Sequence, residues 1–241
     1  MHTRLNLALV LTALAVAGVS TSDVAARPRP TQVAPVQQAV SLYLDAFQFE
    51  RKWGSRGNGD GQFDDPAGLT VNGTGNVYTT ERVNYRAQKF DSNGGFLAKW
   101  GSNTSTVDGN FSNPAGVAVD SAGKVYIADC LHNRVQKFDA NGTFLSKWGT
   151  PGSGNGQFTH PQGVAVDASG NVYVADTGNN RIQKFNAAGT YVTRWGTVGT
   201  NDAQFNGPAG LAVDSSGNLY VADIGNNRIH KYTSTGTFVG W

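Results

Sequence analysis

Residues 156–196 read GQFTHPQGVAVDASGNVYVADTGNNRIQKFNAAGTYVTRWG, and the same pattern recurs along the chain with its changes concentrated in the loops. Trp-Gly pairs fall at Trp53, Trp100, Trp148 and Trp195, and Trp241 extends the series, giving steps of 47, 48, 47 and 46 residues. Pro66, Pro114, Pro161 and Pro208 keep the same step, as do Arg86, Arg134, Arg181 and Arg228. A period of this size is a repeat architecture and takes precedence over any local assignment. Within the quoted copy, four short runs (163–166, 172–175, 181–185 and 191–195) are separated by Asp-Ala-Ser-Gly-Asn, Asp-Thr-Gly-Asn-Asn and Asn-Ala-Ala-Gly. Those separators are rich in residues that accept turn and left-handed geometry. Alternation inside the runs, as in Val-Tyr-Val-Ala, is the period-two signal of strands. Three consecutive hairpins make a four-stranded antiparallel meander, which at this repeat length is a β-propeller blade. A solenoid is the alternative, but its repeats are usually shorter or helical.

The expected fold is therefore all-β, with four four-stranded antiparallel blades in units of about 54–100, 101–148, 149–195 and 196–241. One extra N-terminal strand is expected ahead of them, because residues 46–53 (AFQFERKW) match the outermost strand of a unit. Composition agrees. The chain has 241 residues, 31 Gly, one Cys and one Met, so turns are many and neither a disulfide framework nor a Cys-rich zinc module is available. With 19 basic against 17 acidic residues and a net charge of +2, it is no polyanion-coating protein. Residues 1–26 carry His2 and Arg4, an apolar run, and small residues at Val24-Ala25-Ala26, which fits a secretory signal peptide; an uncleaved anchor is the alternative. Residues 27–42, with three Pro and no period, read as a linker to the propeller at 43–241. The expected location is secreted, extracellular or periplasmic, with no membrane span in the mature chain.

The pattern F-x-x-P-x-G-[VL]-A-V-D-x-x-G-N-[VL]-Y-V-A-D-x-x-N-x-R-[IV]-Q-K-F resembles the NHL-repeat β-propellers over residues 43–241. The resemblance implies an innermost strand after Pro-x-Gly, an outermost strand ending at Trp-Gly, and a ring that commonly has six blades. Members of that family include RNA-binding regulators, extracellular sensor domains of bacterial receptor kinases and a peptide-amidating lyase whose His ligands around the channel hold zinc. The resemblance thus implies a fold and leaves the function open.

Residues present in every copy are expected to be structural. Asp129, Asp176 and Asp223, with Glu81 in the first copy, precede the Arg series by five residues, which suits a carboxylate that accepts turn N–H bonds and pairs with the Arg across the hairpin. The Phe, Tyr and Trp series are expected between blades. Of the 19 basic residues, 12 hold repeat positions spread around the array, so no cationic face for nucleic acid is expected.

Function is expected where the copies differ. Asp65, Asn113 and His160 precede three of the prolines, where the fourth copy has Gly207; Arg82, Val83 and Tyr85, and Cys130, Leu131 and His132, mark the loops between second and third strands. Ligand-binding candidates on this loop face are Asp65, Arg82, Tyr85, Asn113, Cys130, His132 and His160. No catalytic set and no metal site is assigned: His132, His160 and His230 occupy different repeat positions, and Asn58-Gly59-Asp60-Gly61 lacks the acidic spacing of a calcium loop. Cys130 is either a small loop residue or the donor of an intermolecular disulfide. The expected function is binding of a peptide, protein or glycan without a cofactor; the alternative is a metal-dependent lyase or hydrolase at the channel mouth. Because four blades fall short of six, the ring is expected to be open or incomplete. Its two flanks would then be free to self-associate, unless the sequence is part of a longer propeller.

Overall fold

The computed structural model describes residues 50–102 and 104–240. The compact unit is Lys52–Trp241, and the expected leader, the linker and residues 43–49 lie outside the described residues. Four antiparallel sheets of four strands follow one another. Blade one is β1 (Pro66–Val71), β2 (Val77–Glu81), β3 (Arg86–Phe90) and β4 (Phe96–Trp100). Blade two is β5 (Pro114–Val119), β6 (Val125–Asp129), β7 (Arg134–Phe138) and β8 (Phe144–Trp148). Blade three is β9 (Val164–Val166), β10 (Val172–Asp176), β11 (Arg181–Phe185) and β12 (Tyr191–Trp195). Blade four is β13 (Pro208–Val213), β14 (Leu219–Asp223), β15 (Arg228–Tyr232) and β16 (Phe238–Gly240). The innermost strands β1, β5, β9 and β13 contact one another in sequence order. Three of them begin at the proline itself, which pairs opposite the acid ending the second strand, before a bulge shifts the register.

The hairpins close where the sequence placed its turn residues. In blade two, Asp120 Oδ1 accepts N–H bonds from Ala122 and Lys124 at 2.9 and 2.8 Å, and its other oxygen accepts the Tyr126 hydroxyl at 2.9 Å. Asp167 does the same with Ser169, Asn171 and Tyr173. An Asx side chain thus fixes the turn and anchors the neighbouring strand at once.

Blades pack face to face through three hydrophobic clusters. Tyr78, Ala87 and Trp100 of blade one meet Val117, Val125, Ile127 and Phe138 of blade two. Equivalent sets join blade two to three and three to four. Each Trp tilts over the Phe or Tyr ending the third strand of the next blade, at 5.9 Å for Trp100 on Phe138 and 5.8 Å for both Trp148 on Phe185 and Trp195 on Tyr232. Such ring pairs add to plain burial. The third-strand lysines clamp the same seams: Lys89, Lys137 and Lys184 lie over Tyr78, Tyr126 and Tyr173 and donate to the carbonyls of Ala140, Ala187 and Ser234 in the following blade.

The acid–Arg pairs are structural. Asp176 is fully buried, and its carboxylate accepts from Thr159 N at 2.8 Å, Asn179 Nδ2, Gln183 Nε2 at 3.0 Å and Arg181 Nε at 2.6 Å. The rest of the Arg181 guanidinium donates to the carbonyls of Ser153, Gly154 and Gln157. Each Gly-rich loop is therefore wrapped around a guanidinium. In blade one Arg86 takes the carbonyls of Asn58, Gly59 and Gln62, and Lys99 takes the Asp60 carboxylate at 2.6 Å, so a side-chain cation holds the oxygens of the Asn58–Gly61 loop. Blade four departs. His230 replaces the glutamine of the other copies, and burial first, then the Arg228 charge, holds its imidazole below the usual 6.5. Arg228 there reaches Asp223 at 3.1 Å, and its side chain is more exposed than its counterparts.

Residues 50–55 form no strand. The described end of the expected N-terminal strand is thus irregular, and among the described residues it joins no ladder. Trp53 nevertheless stands over Phe90 at 6.2 Å and against Gly94, the place that Trp100 takes over Phe138 and Gly142.

Candidate functional site

The loops between second and third strands and the connections leading into each proline share one face. The turn geometry that puts them there is repeated: the residue before each proline has a left-handed backbone, with φ of 51° at Asp65, 56° at Asn113, 48° at His160 and 69° at Gly207. A cavity of about 600 Å³ opens on this face across blades one to three, lined by Asp65, Arg82, Asn113, Ala115, Cys130, His160, Gln162, Thr177 and Gly178.

Its chemistry is polar and unmatched. Arg82 Nη1 lies 3.8 Å from Asp65 Oδ1, both half-exposed, and Arg82 N donates to the Asp65 carbonyl at 3.0 Å. The His160 backbone N–H is held by Asn133 Oδ1 at 2.8 Å, and the residue itself is exposed. Thr177 Oγ1 donates to the Pro208 carbonyl at 2.7 Å. Cys130 is buried, and burial pushes its thiol up against the smaller opposing pull of Arg82. A buried, protonated thiol is the small-loop-residue alternative, with no surface sulfur for a partner chain. Asp65 and His160 share the rim, but among the described residues no hydrogen bond joins the His160 ring to a carboxylate, so no acid–base pair is formed.

The family model for the NHL repeat matches residues 111–138, 158–185 and 205–232. The protein is an NHL-repeat β-propeller. The equivalent stretch of blade one, which carries Glu81 for Asp and Tyr85 for Asn, is outside those matches. Among solved structures the NHL propeller is similar to a streptogramin B lyase, at 21% identity and TM-score 0.56 over 72% of this chain and 53% of the other. It is similar to virginiamycin B lyase from Staphylococcus aureus in a structure with quinupristin, at 17% identity and TM-score 0.57 over 73% and 55%. A nidogen–laminin complex matches at 20% identity and TM-score 0.56 over 71% of this chain and 61% of that one. The chain spans about half the length of these lyases, and the likenesses establish the fold alone. No curated protein matches the sequence.

Five of the seven candidates named from sequence, Asp65, Arg82, Asn113, Cys130 and His160, line this cavity. Two do not. His132 stands where other copies have Asn179 and Asn226, and it does their work: Nδ1 faces Asp129 Oδ2 at 2.9 Å and Nε2 faces the Thr104 carbonyl at 3.0 Å. His230 is buried beside Asp223, so the imidazoles do not converge, and among the described residues no three His, Cys, Asp or Glu could hold a metal ion together.

Tyr85 lies in a separate cavity of about 360 Å³ with Asn58, Val83, Asn84 and Lys99. It occupies the left-handed position, φ 53°, that is Asn133, Asn180 and Asn227 elsewhere. There Asn133 and Asn180 latch the next blade through His160 N and Gly207 N, both at 2.8 Å. Among the described residues Tyr85 makes no such bond to Asn113 N, so the seam between blades one and two is without this latch. Tyr85→Asn is expected to stabilise the fold by about 1 kcal/mol, from one added hydrogen bond and a residue type that tolerates φ > 0. Urea unfolding of the two proteins checks this, and an unchanged or lowered midpoint would refute it.

Sequence reasoning missed Gln162 and Thr177. Gln162 was readable as a break in Pro-Ala-Gly, which becomes Pro-Gln-Gly only in the third copy. Thr177 differs from Arg82, Cys130 and Ile224 at the same repeat position, but its place on the cavity depends on the inter-blade angle.

Proposed function

We propose that this NHL propeller is an exported binding module that takes a polar peptide or protein segment into the cavity of blades one to three. The observation that carries this is the convergence of repeat-breaking residues there: Arg82 and Asp65 supply opposite charges, and Asn113, His160, Gln162 and Thr177 supply mixed donors and acceptors. Such a set suits the alternating donors and acceptors of a peptide backbone. A glycan is served less well, since the lining holds no aromatic ring on which a sugar would stack. Export rests on the pattern of residues 1–26. The lyase alternative wants a convergent ligand set, and His132 and His230 are engaged elsewhere.

Binding of the full chain to arrays of immobilised peptides and glycans tests the proposal. Peptide binding should weaken at least tenfold on Arg82→Ala or His160→Ala and stay unchanged on Arg194→Ala, on the outermost strand of blade three. Capture of glycans alone, or peptide binding indifferent to both cavity changes, would reject it. So would stoichiometric zinc with a turnover that disappears on His160→Ala.

A further inference from the structure

In the two later seams the N–H of the residue before the proline is claimed by the preceding blade. Asn133 Oδ1 takes His160 N and Asn180 Oδ1 takes Gly207 N, both at 2.8 Å. At the seam between blades one and two the acceptor position is Tyr85, and Asn113 N has no hydrogen-bond partner among the described residues. This seam is internal, with a blade of the chain on either side. By the repeat, the unclaimed N–H is directed at the loop of residues 82–85, which carries Arg82. Asn113 and Arg82 both line the cavity of blades one to three.

Arg82 is a second donor that the fold leaves unspent. Among the described residues its guanidinium pairs with Asp65 Oδ1 alone, at 3.8 Å, beyond hydrogen-bond reach and with both side chains half-exposed. Arg86, four residues on, differs: its guanidinium is spent on Glu81 and on the carbonyls of Asn58, Gly59 and Gln62. A loose, exposed pair such as Arg82–Asp65 contributes little and gives way to a better partner. A guanidinium fork and a backbone N–H therefore stand uncommitted at the same end of the cavity.

We propose that this end of the cavity is a carboxylate subsite, in which Arg82 and Asn113 N–H together hold a carboxylate of the bound peptide. The inference deepens the peptide-binding reading and rests on it for the molecule that brings the group, which is either a C-terminal carboxylate or an Asp or Glu side chain. A carboxylate fits because it is planar, offers two acceptor oxygens and matches the guanidinium fork, and its charge-assisted bonds are the strong ones. A neutral carbonyl would satisfy Asn113 N–H but leave the Arg82 charge unanswered. Asp65 shares that guanidinium and competes with an incoming anion, so Asp65→Asn should tighten carboxylate binding.

Titration of the isotope-labelled full chain, followed by amide NMR, tests this with three small probes. N-acetylglycine carries a terminal carboxylate, the α-amide of N-acetylglutamic acid carries a side-chain one, and N-acetylglycinamide carries neither. A carboxylate probe should bind about tenfold or more tighter than N-acetylglycinamide and move the Asn113 amide resonance, and the tighter of the two names the source. Arg82→Gln should weaken that binding by about tenfold or more, while Arg194→Ala leaves it unchanged. Tyr85→Asn is the sharper variant. Restoring the latch occupies Asn113 N–H, so it should weaken carboxylate binding severalfold while raising the urea midpoint, a combination that a purely structural role of Tyr85 would not give. Carboxylates bound no tighter than the amide, or binding indifferent to Arg82→Gln or to Tyr85→Asn, would overturn the subsite. Carboxylate probes that bind as expected when no peptide is captured on arrays would reject the peptide reading alone. Peptides captured without need of a free C-terminus or an acidic residue would reject the subsite alone.

Discussion

Asp176→Ala is expected to cost about 3–5 kcal/mol of stability, the range for removing one partner of a buried ion pair. The carboxylate is fully buried and closes bonds to Thr159 N, Asn179, Gln183 and Arg181. Without it, Arg181 keeps its carbonyl partners in the Ser153–Gln157 loop but holds an uncompensated charge. The loss is therefore larger than that of any single hydrogen bond. Asp223→Ala in blade four should cost distinctly less, because Arg228 sits at 3.1 Å with its side chain 20% exposed and water can replace part of what is lost. Urea unfolding of both variants gives the comparison. Equal losses would mean that the burial of the cluster does not set its worth.

Gly163→Ala is expected to cost about 3 kcal/mol, at the upper end of overpacking penalties. Its Cβ would run into the Ala209 carbonyl and lie 3.0 Å from Leu211 Cγ, and the first of these is backbone that moves only with the whole of blade four. The same change at Gly210, with free space beside it, should leave the stability of the isolated chain within about 0.5 kcal/mol of wild type. One glycine position in one motif thus gives opposite outcomes, decided by whether a backbone carbonyl stands against it. Thermal melts of the two variants separate the outcomes. A Gly163→Ala protein as stable as wild type would show that the blades are not in backbone contact at that seam.

The repeat explains why so much was legible. The strands at Val172–Asp176, Arg181–Phe185 and Tyr191–Trp195 follow from alternation and from turns that only certain residues close, and both signals are local. The structural role of the Asp–Arg pairs followed from their presence in every copy. At His132 sequence shows a departure from Asn, and the structure adds that the imidazole spans the same two acceptors, Asp129 and Thr104. Tyr85 marks a departure from Asn in the same way, and the structure places it on the separate cavity that Lys99 also lines.

The sequence by itself determined the blade, its four strands and turns, its buried charge pair and the positions at which copies diverge. These depend on neighbours within about fifty residues, a distance over which a period repeats faithfully. Only the tertiary structure decided which divergent residues share a cavity and that Gln162 and Thr177 join them. Those outcomes depend on the angle at which one blade meets the next. That angle is set by the summed packing of Trp, Tyr and Phe across each seam together with the carbonyl that Gly68, Gly116 or Gly163 admits there, and no single repeat contains both sides of a seam.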